Sequence, residues 1–261
     1  MSRPTSPAPP VRRAAHRPVR PAPLVVTVLL AAAFALLAVV VTGRNGAPFP
    51  LDRDALDWSV GHRPAEAVAV ARGITATGTG ILPYVCAVVA GLLMGRDIRQ
   101  RLMAAAGALL FLLAGQAVRY GVLYSVHRPR PPAADWATHA SRYAFPSGHA
   151  TTSALVAGLL IWAVLRRSGA VPRREGGRGR EGGGAPGRRF LAYALCALIV
   201  CWAVAVGLTR IYLGVHWATD VLGGWLYAGT WIGLGVALIP LGRLLPRDRR
   251  DGRGEDRGED G

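Results

Sequence analysis

Lysine is absent from this chain, so all 31 of its basic residues are arginines, beside high alanine and glycine content. Every fixed positive charge on a side chain is therefore a guanidinium, which reads mostly as compositional bias. Acidic residues are also few, 15 in total, which leaves a formal net charge of +16. That balance does not indicate a nucleic-acid partner. The arginines form no face on a folded domain and cluster instead between hydrophobic runs. Cysteine is scarce as well. Cys86, Cys196 and Cys201 lie inside hydrophobic runs without paired spacing, which excludes a disulfide framework and a cysteine zinc site.

What is abundant is apolar surface. Hydrophobic residues make up 51% of the 261 positions, and the mean hydropathy is +0.29. A soluble domain of this size is less apolar, so the chain reads as an integral membrane protein. A membrane span needs roughly 20 apolar residues. Six runs qualify: Leu24 to Thr42, Gly73 to Gly95, Leu102 to Val126, Ala150 to Leu165, Phe190 to Leu208 and Val221 to Leu241. The first is longer than the 7–15 residues of a signal h-region and reads as an uncleaved anchor.

The predicted fold is all-α, a six-span bundle over residues 23–245. A basic tail (1–22) and a charged tail (246–261) flank it, both expected to be disordered, and a mobile Gly/Arg-rich connection covers 166–189. Arginines concentrate in the N-terminal tail, the Arg96–Arg101 connection, the Arg166–Arg189 connection and the C-terminal tail. The positive-inside rule makes those segments, and both termini, cytoplasmic. The connections from Arg128 to His149 and from Thr209 to Asp220 then share the extracytoplasmic face of the cell membrane.

Those two connections carry the polar residues. His216 and Asp220 are four apart, which on a helical turn puts both side chains on one face. A carboxylate on one ring nitrogen fixes the tautomer and raises the basicity of the other, readying the ring as a nucleophile. By the plainer alternative, His216 sits at the membrane interface and Asp220 caps the last span. His149 follows Pro146-Ser147-Gly148 at the head of a span. A helix N-terminus there would offer free N–H groups to phosphate oxygens, and a histidine could act as general acid and then base. A serine cap beside an interfacial histidine is the simpler reading. Arg130 and Arg210 supply donor forks matched to a phosphoryl group, although interfacial arginines commonly snorkel to headgroups. Arg119 lies inside the third span, where an unpaired charge is costly. It precedes Arg130 by eleven residues, roughly the same face of a continuous helix. Zinc on His149, His216 and Asp220 is conceivable by residue type, but the surrounding arginines favour an anion instead.

Together these residues resemble the type 2 phosphatidic acid phosphatase family, membrane lipid phosphatases that share an active site with vanadium haloperoxidases. The family motifs are Lys-x6-Arg-Pro, Pro-Ser-Gly-His and Ser-Arg-x5-His-x3-Asp. Pro146-Ser147-Gly148-His149 fits the second completely. Arg210, His216 and Asp220 fit the third, with Thr209 in place of serine, and Arg130-Pro131 fits the end of the first. The first motif departs at its lysine, since Leu123 stands there, with Arg119 one turn earlier.

The resemblance implies that His216 attacks phosphorus, Asp220 orients it and His149 protonates the leaving group. Arg130, Ser147, Gly148 and Arg210 would hold the phosphoryl oxygens, with Arg119 a possible addition. It implies neither metal nor cofactor. The substrate would be a lipid phosphate or diphosphate: undecaprenyl diphosphate, phosphatidylglycerol phosphate or phosphatidic acid. A transferase acting on such lipids, or a silent lipid-phosphate binder, are the alternatives. The oligomeric state is left open.

Overall fold

The structure, a computed structural model, describes residues 22–169 and 186–241. Among these every regular element is a helix: α1 (Ala22–Gly43), α2 (Pro50–Gly61), α3 (Ala65–Ala76), α4 (Leu82–Met94), α5 (Ile98–Val126), α6 (Gly148–Arg167), α7 (Pro186–Tyr212) and α8 (Ala218–Leu241), with one 3-10 turn at Ala133–Asp135. The predicted disorder of the two tails lies outside the described residues, as does the middle of the Gly/Arg-rich connection. That connection is shorter than expected, because α6 continues to Arg167 and α7 already begins at Pro186.

Among the described residues four helices, α1, α5, α6 and α7, are long and apolar enough to cross a membrane. The shortest, α6, has 20 residues, about 30 Å at 1.5 Å per residue, which matches a hydrocarbon core. The expected second span, Gly73 to Gly95, is not one helix. The chain breaks at Gly78-Thr79-Gly80, and Gly80 takes φ +66°, a left-handed conformation that a helix does not contain. This leaves α4 with 13 residues, about 20 Å by the same rise and short of a span. Glycine-rich apolar composition hides such a break, because hydropathy does not register backbone conformation. Helix α8 also has the length for a span, 24 residues.

In the bundle α4 packs along α5, α6 lies against α4, α7 and α8, and α1 packs on α8. The core is centred on Ala87, Leu112, Leu155, Val156 and Ala228, with Phe111, Trp202 and Trp231 packed around it. The outer faces stay apolar: Leu29, Leu36, Leu110, Leu113 and Leu198 are all exposed, as helices facing lipid require.

Helices α2 and α3 were not anticipated from the sequence. They lie at one end of the bundle and hold the α5–α6 connection against the α7–α8 turn. Arg63 Nη1 donates to the Asp135 carbonyl at 2.7 Å, and Arg72 Nε to the Ala137 carbonyl at 2.7 Å. The Ala137 N–H in turn donates to the Leu213 carbonyl at 2.9 Å. Gly214 has φ +70°, and a Cβ there would run into the Asp135 carbonyl, so the turn accepts only glycine without distortion.

Candidate active site

The motif residues come from four helix ends. Arg130 follows α5, Gly148 and His149 open α6, Arg210 lies in the last turn of α7, and His216 and Asp220 flank the start of α8. They converge on a cavity of about 450 Å³ whose lining includes Arg119, Arg130, Gly148, His149, Arg210 and His216. Of the residues expected to form the site, only Ser147 and Asp220 lie behind its wall.

His216 is 3% exposed, and both of its ring nitrogens have partners. Nδ1 lies 3.4 Å from Asp220 Oδ2, at the long limit of a hydrogen bond. Nε2 lies 2.9 Å from Arg130 Nη1. A guanidinium can only donate, so Nε2 is the acceptor and the proton of the neutral ring sits on Nδ1, directed at the carboxylate. Burial, followed by the charges of Arg130 and Arg210, by His149 and by Arg119, holds the ring's pKa well below that of an ordinary histidine. The imidazole is thus a neutral base with its lone pair turned toward the cavity.

Asp220 is fixed from three sides. Its Oδ2 accepts from the Trp217 N–H at 2.9 Å, which caps the start of α8. Its Oδ1 accepts from Arg128 Nη1 at 2.6 Å. Its main-chain carbonyl accepts from the Ser147 N–H at 3.0 Å, tying the α8 start to the α6 start.

The cations are supported one by one. Arg130 is held by the Val215 carbonyl at 2.7 Å and the Ser141 carbonyl at 2.9 Å. Burial lowers its pKa and the charge of Asp220 works against that. Arg210 Nη1 donates to Thr75 Oγ1 at 3.0 Å, while its buried Nε has no partner among the described residues. Arg119 is 5% exposed. Its Nε donates to Gln116 Oε1 at 2.9 Å, and Gln116 is itself anchored on Thr152. The Arg119 guanidinium lies over Gly148, where an added Cβ would stand 3.4 Å from Cζ. Leu123, at the position of the missing lysine, also lines the cavity, so Arg119 brings a cation to the wall that Leu123 leaves apolar.

His149 is half-buried at the cavity wall and makes no hydrogen bond to another described residue, which leaves its ring free for a ligand. Ser147 Oγ is buried and unpartnered. Among the described residues no group of three or more His, Cys, Asp or Glu could hold a metal ion. The donor set is instead one of guanidiniums and imidazoles, suited to an oxyanion.

Three residues at this site were not anticipated. Arg128, Asp52 and Thr219 form a buried cluster behind Asp220. The only signal for them in the sequence was Arg128, two residues before Arg130 in Arg-Pro-Arg-Pro.

The same region carries the likeness to known proteins. The sequence model of the PAP2 superfamily matches residues 103–242, more than half of the chain and inclusive of all the motif residues. The chain belongs to the PAP2 superfamily. Members of this family are lipid phosphatases. Over 158 residues the chain is 28% identical to phosphatidylglycerophosphatase B of Bacillus subtilis (strain 168), an alignment covering 59% of this chain and 66% of that relative. Its fold is similar to the crystal structure of a transmembrane PAP2-type phosphatidylglycerolphosphate phosphatase from Bacillus subtilis, with a TM-score of 0.61 at 24% identity, covering 85% of this chain and 98% of that one. The six-span count is not reproduced by helix length and hydropathy, whereas the all-helical PAP2 membrane fold is.

Proposed function

We propose that this PAP2 protein hydrolyses a lipid phosphate or diphosphate at the extracytoplasmic face of the plasma membrane, through a phosphohistidine on His216 and without a metal. The observation that carries the reading is the state of His216. Its Nδ1–H is turned to Asp220 and its Nε2 lone pair faces a cavity lined by Arg119, Arg130 and Arg210.

A phosphoryl group in that cavity would draw the guanidiniums onto its oxygens, releasing Nε2 from Arg130. Nε2 then attacks phosphorus as the bond to the lipid oxygen breaks. The ring becomes positively charged, and Asp220 stabilises that charge across Nδ1–H. His149 gives its proton to the departing lipid oxygen, then takes one from a water molecule that attacks the phosphohistidine and releases inorganic phosphate. Negative charge spreading over the equatorial oxygens meets Arg119, Arg130 and Arg210, already held by Gln116, Val215 and Thr75. Such preorganisation is where electrostatic catalysis has its effect. Four arginines line the cavity, Arg142 included, and supply the positive charge that a metal provides elsewhere.

The bacterial relative's name favours phosphatidylglycerol phosphate as the first substrate to test, ahead of undecaprenyl diphosphate and phosphatidic acid. The arginine-rich cytoplasmic segments support the outward side, with α8 and the broken α3–α4 segment completing six crossings. Purified full-length protein in detergent, assayed with EDTA present, should release phosphate from at least one of these lipids. His216→Ala should abolish the release. A well-folded protein that releases none, or whose activity requires added metal, would overturn the reading.

A further inference from the structure

Behind Asp220 lies a cluster that the mechanism above does not use. Arg128 is wholly buried and lies between two carboxylates, Nη2 on Asp52 Oδ2 at 2.7 Å and Nη1 on Asp220 Oδ1 at 2.6 Å. Arg128 Nη1 also donates to Thr219 Oγ1 at 2.7 Å, and the Thr219 hydroxyl in turn donates to Asp52. The Thr219 N–H, in the first turn of α8, donates to Asp52 Oδ1 at 2.8 Å. Asp52 comes from α2, where it also accepts the Phe49 N–H at 3.0 Å. It lies outside residues 103–242, the part matched by the family. A residue from the preceding segment therefore reaches the helix end that carries the nucleophile's carboxylate.

The charges in this cluster explain its arrangement. Arg128 with Asp220 alone would be a neutral pair, with little negative charge left to face His216. Asp52 adds a second carboxylate to the guanidinium, so the buried trio carries one net negative charge behind His216. At the same time Asp52 pins the N-terminus of α8, and with it the register of Asp220 against His216.

We propose that Asp52, acting through Arg128 and Thr219, is a positioning residue for the nucleophile that keeps the Asp220 carboxylate aimed at His216 and adds negative charge behind the ring. This rests on the phosphohistidine reading above. The remaining groups facing His216 are Arg119 from α5, Arg130 from the α5–α6 connection, His149 from α6 and Arg210 from α7. None of them changes in the test.

The test compares full-length wild type with Asp52→Asn, following phosphate release from phosphatidylglycerol phosphate across pH. The amide keeps the shape and loses the charge, so protonated His216 loses part of its stabilisation. We expect kcat to fall by about tenfold, the effect of removing one charge several ångströms away in a poorly screened interior. KM should stay within about twofold, because Asp52 touches no substrate. The acid limb of kcat/KM should move to lower pH. A drop in thermal stability with an unmoved acid limb and unchanged kcat would overturn the proposal, as would a rise in KM alone. If Asp52→Asn does not fold, Thr219→Val decides the matter, since it removes the hydroxyl's hydrogen bonds to Asp52 and Arg128 and leaves both charges. It should lower kcat at unchanged KM, and an unchanged kcat would overturn the proposal. An inactive wild type would refute the phosphatase reading itself, a result distinct from an active wild type indifferent to Asp52.

Discussion

Replacing Asp220 with asparagine should abolish turnover while leaving the substrate pocket standing, for a reason visible in the hydrogen bonds. Both carboxylate oxygens of Asp220 accept: Oδ1 from Arg128, Oδ2 from the Trp217 N–H and from His216. An amide offers one acceptor, so its NH2 must face one of those donors. Arg128 is charged and wholly buried, and it takes the amide oxygen. The NH2 then displaces the Trp217 N–H, whose bond is lost, and points at Nδ1 of His216, which relieves its clash only by becoming the acceptor. The ring proton moves to Nε2, the atom proposed to attack phosphorus. The same swap in a serine–histidine–aspartate triad inverts the tautomer and lowers kcat by about ten thousandfold. We expect a loss of that order, about 5.5 kcal/mol of transition-state stabilisation. Arg128 keeps Asp52 at 2.7 Å, so the fold should survive with modestly lower thermal stability. The assay is initial-rate phosphate release, with a size-exclusion profile as the check on folding. A folded Asp220→Asn protein that keeps a tenth of wild-type kcat would refute the tautomer argument.

Further expectations concern the cations and the membrane orientation. The acid limb of kcat/KM should lie below the ordinary imidazole value of about 6.5, because burial and the neighbouring guanidiniums hold His216 neutral. Removing one positive neighbour through Arg210→Gln makes protonation easier, so the limb should move up, and a limb that stays in place would count against that cause. Arg119→Ala should lower kcat/KM about a hundredfold, the scale for one charged transition-state donor. Adding Leu123→Lys to that variant should restore part of the loss, and a fully active Arg119→Ala would remove Arg119 from the site. In intact cells a membrane-impermeant maleimide should label Asp54→Cys, in α2, but not Arg99→Cys at the start of α5. The reverse pattern would place the site on the cytoplasmic side.

The residues that line the cavity were easier to read from the sequence than the scaffold that brings them together. His149, Arg210, His216 and Asp220 were legible because each stands at the end of an apolar run, and helix ends from different spans can meet only at a membrane face. Leu24–Thr42 and Phe190–Leu208 predicted α1 and α7 closely, since uninterrupted hydropathy is a local property. The break at Gly78–Gly80 was not legible: glycine and threonine are apolar enough to pass as span, and only the positive φ of Gly80 reveals the turn. Asp52 was hidden for a different reason. Its partners Arg128 and Thr219 are 76 and 167 residues away, and a buried ion pair between elements that distant has no signature in spacing. Ser147 was expected to donate to phosphate through its hydroxyl. That hydroxyl is buried with no partner among the described residues, and the Ser147 N–H ties α6 to α8.

The central claim is that His216 carries the phosphoryl group, and the most direct measurement is to trap it there. His149→Gln protein, lacking the base that activates water, should accumulate the intermediate when mixed with a lipid diphosphate 32P-labelled at its terminal phosphate, whose phosphate leaving group needs no proton from His149, and quenched in alkali. Phosphohistidine survives alkali and is lost in acid, and peptide mapping should place the label on His216, with none in the His149→Gln, His216→Ala double variant. Label that persists in the double variant, or that maps to another residue, would contradict the account.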